Sequence, residues 1–326
     1  MTPSPSPTVA DVSEQELVAA ILRVLAGSSH AVVGPGDDAA VLAAPGERVV
    51  VTTDTLVHGP DFRLAWSSPL DLGFKAAAVN LADVAAMGAR PTALFVALAL
   101  PETTTVAFVE ELAAGLRAAC DDLAPECAVE GGDLTVSDTL TIAVTAVGVL
   151  PGRPVLRSGA RPGDVVAVAG ELGPAARGLA VLFDRFRDES GHPVTVDPAL
   201  LSAREREELR AQLRPRPPIG AGVRAAEAGA TAMMDVSDGL LLDATRLADA
   251  SGVTVDLDGV EDDAALRGGE DHALLATFGP GRDLPTGFRP IGTVRPRGDV
   301  PVTIAGEAAS GAGGWDPQRD WDSARG

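Results

Sequence analysis

Apolar positions first recur at helical spacing between Asp11 and Leu25, where Leu17, Ile21, Leu22 and Leu25 share one face. Ser13, with Glu16 following, predicts a capped start for that helix. Strand-like apolar runs follow at Ala39–Leu42, Arg48–Val57, Thr92–Leu100 and Leu140–Leu150, the second of them β-branched almost throughout. Between them, Ser68-Pro69-Leu70-Asp71 predicts a capped helix running to Met87 and stopped by Gly88. Its interior, Ala76 to Met87, is nearly all small or apolar, so this helix is expected to be packed on most sides. A second helix is expected over Val106–Asp121. Pro151-Gly152 then breaks the chain. Beyond it the pattern predicts a strand at Val165–Ala169, a helix at Gly173–Phe186, an irregular stretch to Ser202 and a solvated charged helix at Ala203–Leu213. After an extended break at Arg214–Pro218 it predicts a helix at Ile219–Ala228, a short strand at Thr231–Met234, a helix after Gly239, and strands at Val253–Leu257 and Ala273–Phe278.

At 326 residues the chain is long for a single core and suits two domains. The expected division is a tail at 1–10, domains at 11–151 and 152–316, and a mobile tail at 317–326. The net charge of −20 argues against nucleic-acid backbones and anionic membrane surfaces. It argues equally against anionic small molecules, unless metal ions bridge them. Lys75 is the only lysine, and no Gly-Lys-Ser/Thr triplet exists, so any nucleoside triphosphate must be held without a Walker A loop. Cys120 and Cys127 fit neither a zinc pattern nor a disulfide framework and read as ordinary thiols of a reducing cytosol. No stretch is apolar and long enough to span a bilayer. The Ser/Pro/Thr-rich Met1–Val9 lacks the basic region of a signal peptide.

The acidic turns carry the candidate chemistry. Gly34-Pro35-Gly36-Asp37-Asp38 places adjacent carboxylates in a turn, where they need either a cation or solvent. Thr52-Thr53-Asp54 offers hard-oxygen donors suited to Mg²⁺, or else simply ends a strand. Asn80 and Asp83 share a face of the apolar helix, and a carboxylate there wants a partner. Gly131-Gly132-Asp133 pairs glycines, whose backbone N–H groups can cradle phosphate, with an acid that can hold a bridging metal. In Asp235-Val236-Ser237-Asp238-Gly239, capping of the next helix accounts for Ser237 and Asp238 but not for Asp235 at the end of an apolar strand.

In order and spacing, Gly36-Asp37-Asp38, Thr52-Thr53-Asp54-Thr55, Asn80 to Gly88 and Gly131-Gly132-Asp133 resemble the thiamine-monophosphate kinases, relatives of aminoimidazole-ribonucleotide synthetase. Further matches are Arg157-Ser158-Gly159-Ala160-Arg161-Pro162-Gly163-Asp164, the Asp235–Gly239 turn, Gly268-Gly269-Glu270-Asp271, Ile291–Val294 and Gly314-Trp315-Asp316, so the resemblance spans Ala31 to Asp316. Two departures stand out. His272 stands where the family usually has tyrosine, and Asp61 stands where it commonly has a substrate-touching histidine, with His58 earlier in the same loop.

The resemblance implies an α+β fold in two domains: an N-terminal sheet with helices on one face, which pairs with its twin across a homodimer interface, and a larger mixed α/β C-terminal domain. It implies ATP-dependent phosphorylation of thiamine monophosphate to the diphosphate in the cytoplasm, with several Mg²⁺ ions, by direct in-line transfer and with no side chain assigned as acid or base. The metal ligands it implies are Asp38, Thr52, Thr53, Asp54, Asp83, Asp133, Asp235 and Asp238. Gly132, Asp133, Arg157 and Ser237 would bind ATP, and Asp61, Glu270 and Trp315 the thiamine side. The rival readings are another ATP-dependent enzyme of the superfamily or a non-catalytic nucleotide or metal sensor. Against the former, no cysteine precedes Cys120 and none ends the chain.

Overall fold

A computed structural model describes residues 7–8, 14–29, 48–309 and 313–314. Ser13, the strand expected at Ala39–Leu42, Asp38, Trp315 and the tail after Asp316 lie outside the described residues. Helix α1 covers Glu14–Leu25. Within the stretch expected as a tail, Pro7 O accepts Val106 N and Thr8 bridges Thr105.

The first half is a four-stranded sheet with helices on one face. Its strands are β1 (Val49–Val57), β2 (Arg90–Leu100), β3 (Ala128–Val136) and β4 (Thr141–Val149), in the order β1-β4-β2-β3. β4 runs antiparallel to β1 and β2, while β3 lies parallel to β2. The inward register includes Leu94, Val96, Leu98, Ile142, Val144 and Ala146, all buried against α2 (Pro69–Ala86) and α3 (Val106–Leu123). α2 starts as its sequence predicts: Ser68 and Asp71 form a reciprocal capping box, and Pro69 takes the first turn. It crosses α3 at backbone contact, since a Cβ on Gly73 would lie 2.0 Å from Leu112 O and one on Gly115 2.1 Å from Leu70 O. Cys120 and Cys127 are free and buried.

The second half is a seven-stranded, largely antiparallel sheet. It comprises β5 (Val165–Ala169), β6 (Ala230–Val236), β7 (Val253–Leu257), β8 (Ala273–Phe278), β9 (Phe288–Pro296), β10 (Val302–Ile304) and β11 (Glu307–Ala308), in the order β11-β10-β7-β9-β5-β8-β6. Only β10 and β7 pair in parallel. Around it lie α4 (Pro174–Arg185), α5 (Ala203–Leu213), α6 (Ile219–Glu227), α7 (Leu240–Ser251) and α8 (Asp263–Arg267). α2 also packs against α6, β6 and β8, so it lies between the two sheets, which is why its interior is apolar on almost every side.

Three sequence expectations need correction. Gly131 and Gly132 form no loop but sit inside β3, where a Cβ on Gly132 would lie 1.9 Å from Val96 O; their smallness serves close strand approach. α5 is not simply solvated: Leu209 and Gln212 are buried, and Glu208 takes Arg177 at 2.7 Å. Ser237 and Asp238 do not cap α7, whose cap residue is Gly239, with no side-chain bond to the helix.

Candidate active site

Four of the acids singled out in the sequence come together from separate elements. Asp54 comes from β1, Asp83 from α2, Asp235 from the end of β6, and Asp238 from the turn before α7. Thr52 Oγ1 donates to Asp83 Oδ2 at 2.9 Å. Burial, then the charges of Asp235 and Asp54, push the Asp83 carboxyl up to about 7. Burial also raises Asp54, with Asp235 and Asp238 adding to it and His272 opposing. On the same helix as Asp83, Asn80 donates to Ala76 O at 2.9 Å, and its buried Oδ1 has no hydrogen-bond partner among the described residues.

Carboxylates brought together against their mutual repulsion, beside an orphaned amide oxygen, make a hard-oxygen donor set deficient in positive charge. That chemistry fits a divalent cation such as Mg²⁺. Among the described residues, no three acidic, histidine or cysteine side chains converge tightly enough to enclose one ion by themselves.

His272, which the sequence left without a role, is buried at this cluster. Its Nδ1 lies 3.2 Å from Asp235 Oδ2. Burial alone would lower its pKa, but the bond to Asp235 and the charges of Asp235 and Glu270 hold it above the ordinary value. Asp238 is braced from α7. Arg246 Nη1 donates to Asp238 Oδ2 at 2.6 Å and to the buried Asp243 Oδ1 at 2.7 Å, while Asp238 N donates to Asp243 Oδ2 at 3.0 Å.

Asp238 and Ser237 also line a cavity of about 710 Å³ that runs to Asp61, Glu270, Lys75, Gln212, Trp66 and Phe183. Thus Asp61, Glu270, Ser237 and Asp238 share one space, with Gly314 on its wall. Asp61 Oδ2 accepts Val57 N at 2.7 Å. Glu270 has φ 73, forms an ion pair with Lys75, and accepts Gln212 Nε2 at 2.7 Å. Burial would raise its pKa, but Lys75 holds it below the ordinary value.

Other predicted residues are not brought to the cluster. Thr53 faces the opposite side of the sheet, donating to Val144 O at 3.0 Å and meeting Thr145 Oγ1. Asp133 is exposed and paired with Ala97 on that same side, and Gly132 is held against Val96. Arg157 is exposed, and its carbonyl accepts Ser251 Oγ at the end of α7 remote from Asp238.

Sequence reasoning gave no site role to Lys75, Gln212, Trp66, Phe183 or Arg187. Lys75 did carry a signal: it is the sole lysine, set in an apolar helix face.

Comparison with known proteins shows the family of the chain. Residues 36–150 match the family of AIR synthase related proteins in its N-terminal domain, and residues 161–284 match the C-terminal domain. A thiamine-monophosphate kinase of Mycobacterium tuberculosis H37Rv is 40% identical over 95% of this chain and 93% of its own length. That of Corynebacterium glutamicum is 41% identical over 95% and 94%. Among solved structures, the thiamine-monophosphate kinase of Stenotrophomonas maltophilia K279a superposes with a TM-score of 0.75 at 34% identity, covering 91% of this chain and 98% of that one. AaThiL complexed with AMPPCP and TMP gives 0.71 at 32%, covering 92% and 96%.

Proposed function

The chain belongs to the thiamine-monophosphate kinases and is a kinase, and from that premise we propose that it moves the γ-phosphoryl group of ATP directly onto the phosphate of thiamine monophosphate. The observation that carries this reading is the joining of a four-carboxylate cluster, through Asp238, to a cavity of about 710 Å³ lined by acidic, basic and aromatic side chains. In the proposed step, an acceptor phosphate oxygen forms a new bond to the γ-phosphorus in line as the bond to ADP breaks. Phosphate monoesters lose their second proton near pH 6, so the attacking oxygen is already ionised at neutral pH and no side chain has to remove a proton.

Asp54, Asp83, Asp235 and Asp238 would hold Mg²⁺, which when bound screens the repulsion between two polyanions and steadies the transferring oxygens. The protein's own groups hold these carboxylates in place: Thr52 fixes Asp83, His272 meets Asp235, and Arg246 with Asp243 braces Asp238. At the other end Lys75 and Gln212 fix Glu270, which with Asp61 supplies negative charge for a cationic thiazolium.

Because so acidic a protein repels free ATP, nucleotide binding is expected to weaken at least about tenfold when Mg²⁺ is replaced by EDTA. Calorimetry showing equal affinity in both buffers overturns the metal-bridged reading. ADP release on adding thiamine monophosphate tests the acceptor.

A homodimer through the outer face of the first sheet is part of this proposal. Val49 and Val51 are 49% and 62% exposed there. Thr53 and Asp133 lie on the same face, so a second copy covering it would also reach these two predicted ligands. Sedimentation at micromolar concentration is expected to show a dimer, and a pure monomer rejects it.

A further inference from the structure

Among the described residues, two of the three non-glycine residues with a left-handed backbone are Glu270 and His272, at φ 73 and 52. That conformation is costly for a residue with a side chain and persists where the surroundings enforce it. Asp271 stands between them, on the link from α8 to β8. The link is docked on the turn that carries the acids. Glu270 N donates to Ser237 O at 2.7 Å, and His272 N donates to Val236 O at 3.1 Å. A Cβ on Gly269 would lie 2.2 Å from Ser237 O, so glycine is needed for this approach.

Those bonds hold the backbone on one side. On the other, the Asp271 carboxylate uses both of its oxygens. Oδ2 accepts Gly173 N at 2.6 Å and Oδ1 accepts Ala175 N at 2.9 Å. These N–H groups open α4, which has no capping side chain of its own because Gly173 sits at its start. The carboxylate thus ties the link to the helix whose Ala176, Leu179, Ala180 and Phe183 wall the cavity. Asp271 itself does not line that cavity.

We infer that Asp271 is a positioning residue for the phosphoryl transfer, one that clamps Glu270 and His272 in their left-handed conformations by anchoring the residue between them to α4. The inference rests on the kinase reading above. With Asp271 released, nothing on the α4 side opposes relaxation of the link. A return of Glu270 and His272 to ordinary φ values turns their side chains away from Lys75 and Asp235. One carboxylate outside the site therefore keeps an acceptor-end residue and a cluster-end residue aimed at the same time.

The test uses the full chain, with ADP release measured at a temperature where every variant is folded. Asp271→Ala removes both bonds to α4; Asp271→Asn keeps one acceptor oxygen and sets an amide against the other N–H. For Asp271→Ala, KM for thiamine monophosphate and the half-saturating Mg²⁺ concentration should each rise about tenfold, the scale on which partners behind ligand side chains act. Asp271→Asn should move both the same way by less. Thr105→Ala removes the side-chain cap of α3, the bond from Phe108 N, and shows what cap loss alone does. It should lower the melting temperature and leave both constants unmoved. If Asp271→Ala behaves in that same way, Asp271 only caps α4 and the inference is overturned. Where Asp271→Ala does not fold, Asp271→Asn decides, and unmoved constants overturn the inference equally. Wild-type protein that releases no ADP with thiamine monophosphate overturns the kinase reading and this one together, whereas an active wild type with unmoved variants overturns this one alone.

Discussion

Asp83→Asn is expected to lower kinase turnover by at least about a thousandfold while leaving the chain folded, as a lost charge ligand at a phosphoryl-transfer centre should. Asp83 is the carboxylate on which burial and two neighbouring charges press hardest, and Thr52 keeps it aimed at the others. The same substitution should stabilise the protein free of ligand. The Asp83 carboxyl, ordinarily near 3.8, is raised to about 7 in the fold. Between those values the folded chain holds a proton that the unfolded chain has lost, so stability falls as pH climbs through that window and the deficit is complete above about 7. The substituted amide carries no such charge. The variant's melting temperature should therefore vary less between pH 5 and pH 8 and lie higher at pH 8, where each kcal/mol recovered is worth about 2–4 °C. Scanning calorimetry without divalent cations, set beside an ADP-release assay, reads both effects. A folded variant with substantial activity at ordinary Mg²⁺ removes Asp83 from the site.

Lys75→Met should cost substrate affinity at the other end of the cavity. Lys75 is 4% exposed, and its ammonium is the cation that holds Glu270 below its ordinary pKa. Methionine fills the stem's volume but leaves the Glu270 carboxylate with the neutral Gln212 amide as its side-chain hydrogen-bond donor, in a protein already rich in negative charge. Removing one member of a buried pair costs about 3–5 kcal/mol; Glu270 is partly open to solvent, so about 1–3 kcal/mol of stability is expected here. KM for thiamine monophosphate should rise by about 10–100-fold, because this ammonium holds Glu270 in place and its charge also acts on Asp61. KM for ATP should change far less. Equal losses for both substrates would show that Lys75 supports the fold in general rather than the acceptor end.

What could be read from the sequence was what local chemistry decides. The Ser68–Asp71 box, the β-branched run into Asp54 and the apolar strand into Asp235 each announce their element within a few residues, and they delivered three of the four clustered acids to recognisable strand or helix positions. What could not be read depends on partners remote in the chain. Glycine pairs favour turns, so Gly131-Gly132 looked like a phosphate cradle; only the arrival of β2, with Val96 O at contact distance, explains them. α5 looked solvated because charged side chains dominate it, yet its buried Leu209 joins Trp66, Leu182 and Phe186 in a small core under the cavity wall. Lys75 and Glu270 stand 195 residues apart, and no local pattern links them. Adjacent positions in a strand face opposite sides, so the predicted β1 already turned Thr53 away from Asp54; that Asp133 faces the same way as Thr53 follows only from the register of β3, β2, β4 and β1.

Lys75 and Asp83 sit on one uninterrupted helix, which turns α2 into a ruler. Eight residues at ~1.5 Å each set the two residues about 12 Å apart along the axis, and a helix clamped between two sheets neither stretches nor bends easily. In the proposed reading, the two ends of the acceptor are thus gauged against a single rigid scale. Any shift of α2 carries both marks together, so the fold keeps its sense of length even when the walls around the scale adjust.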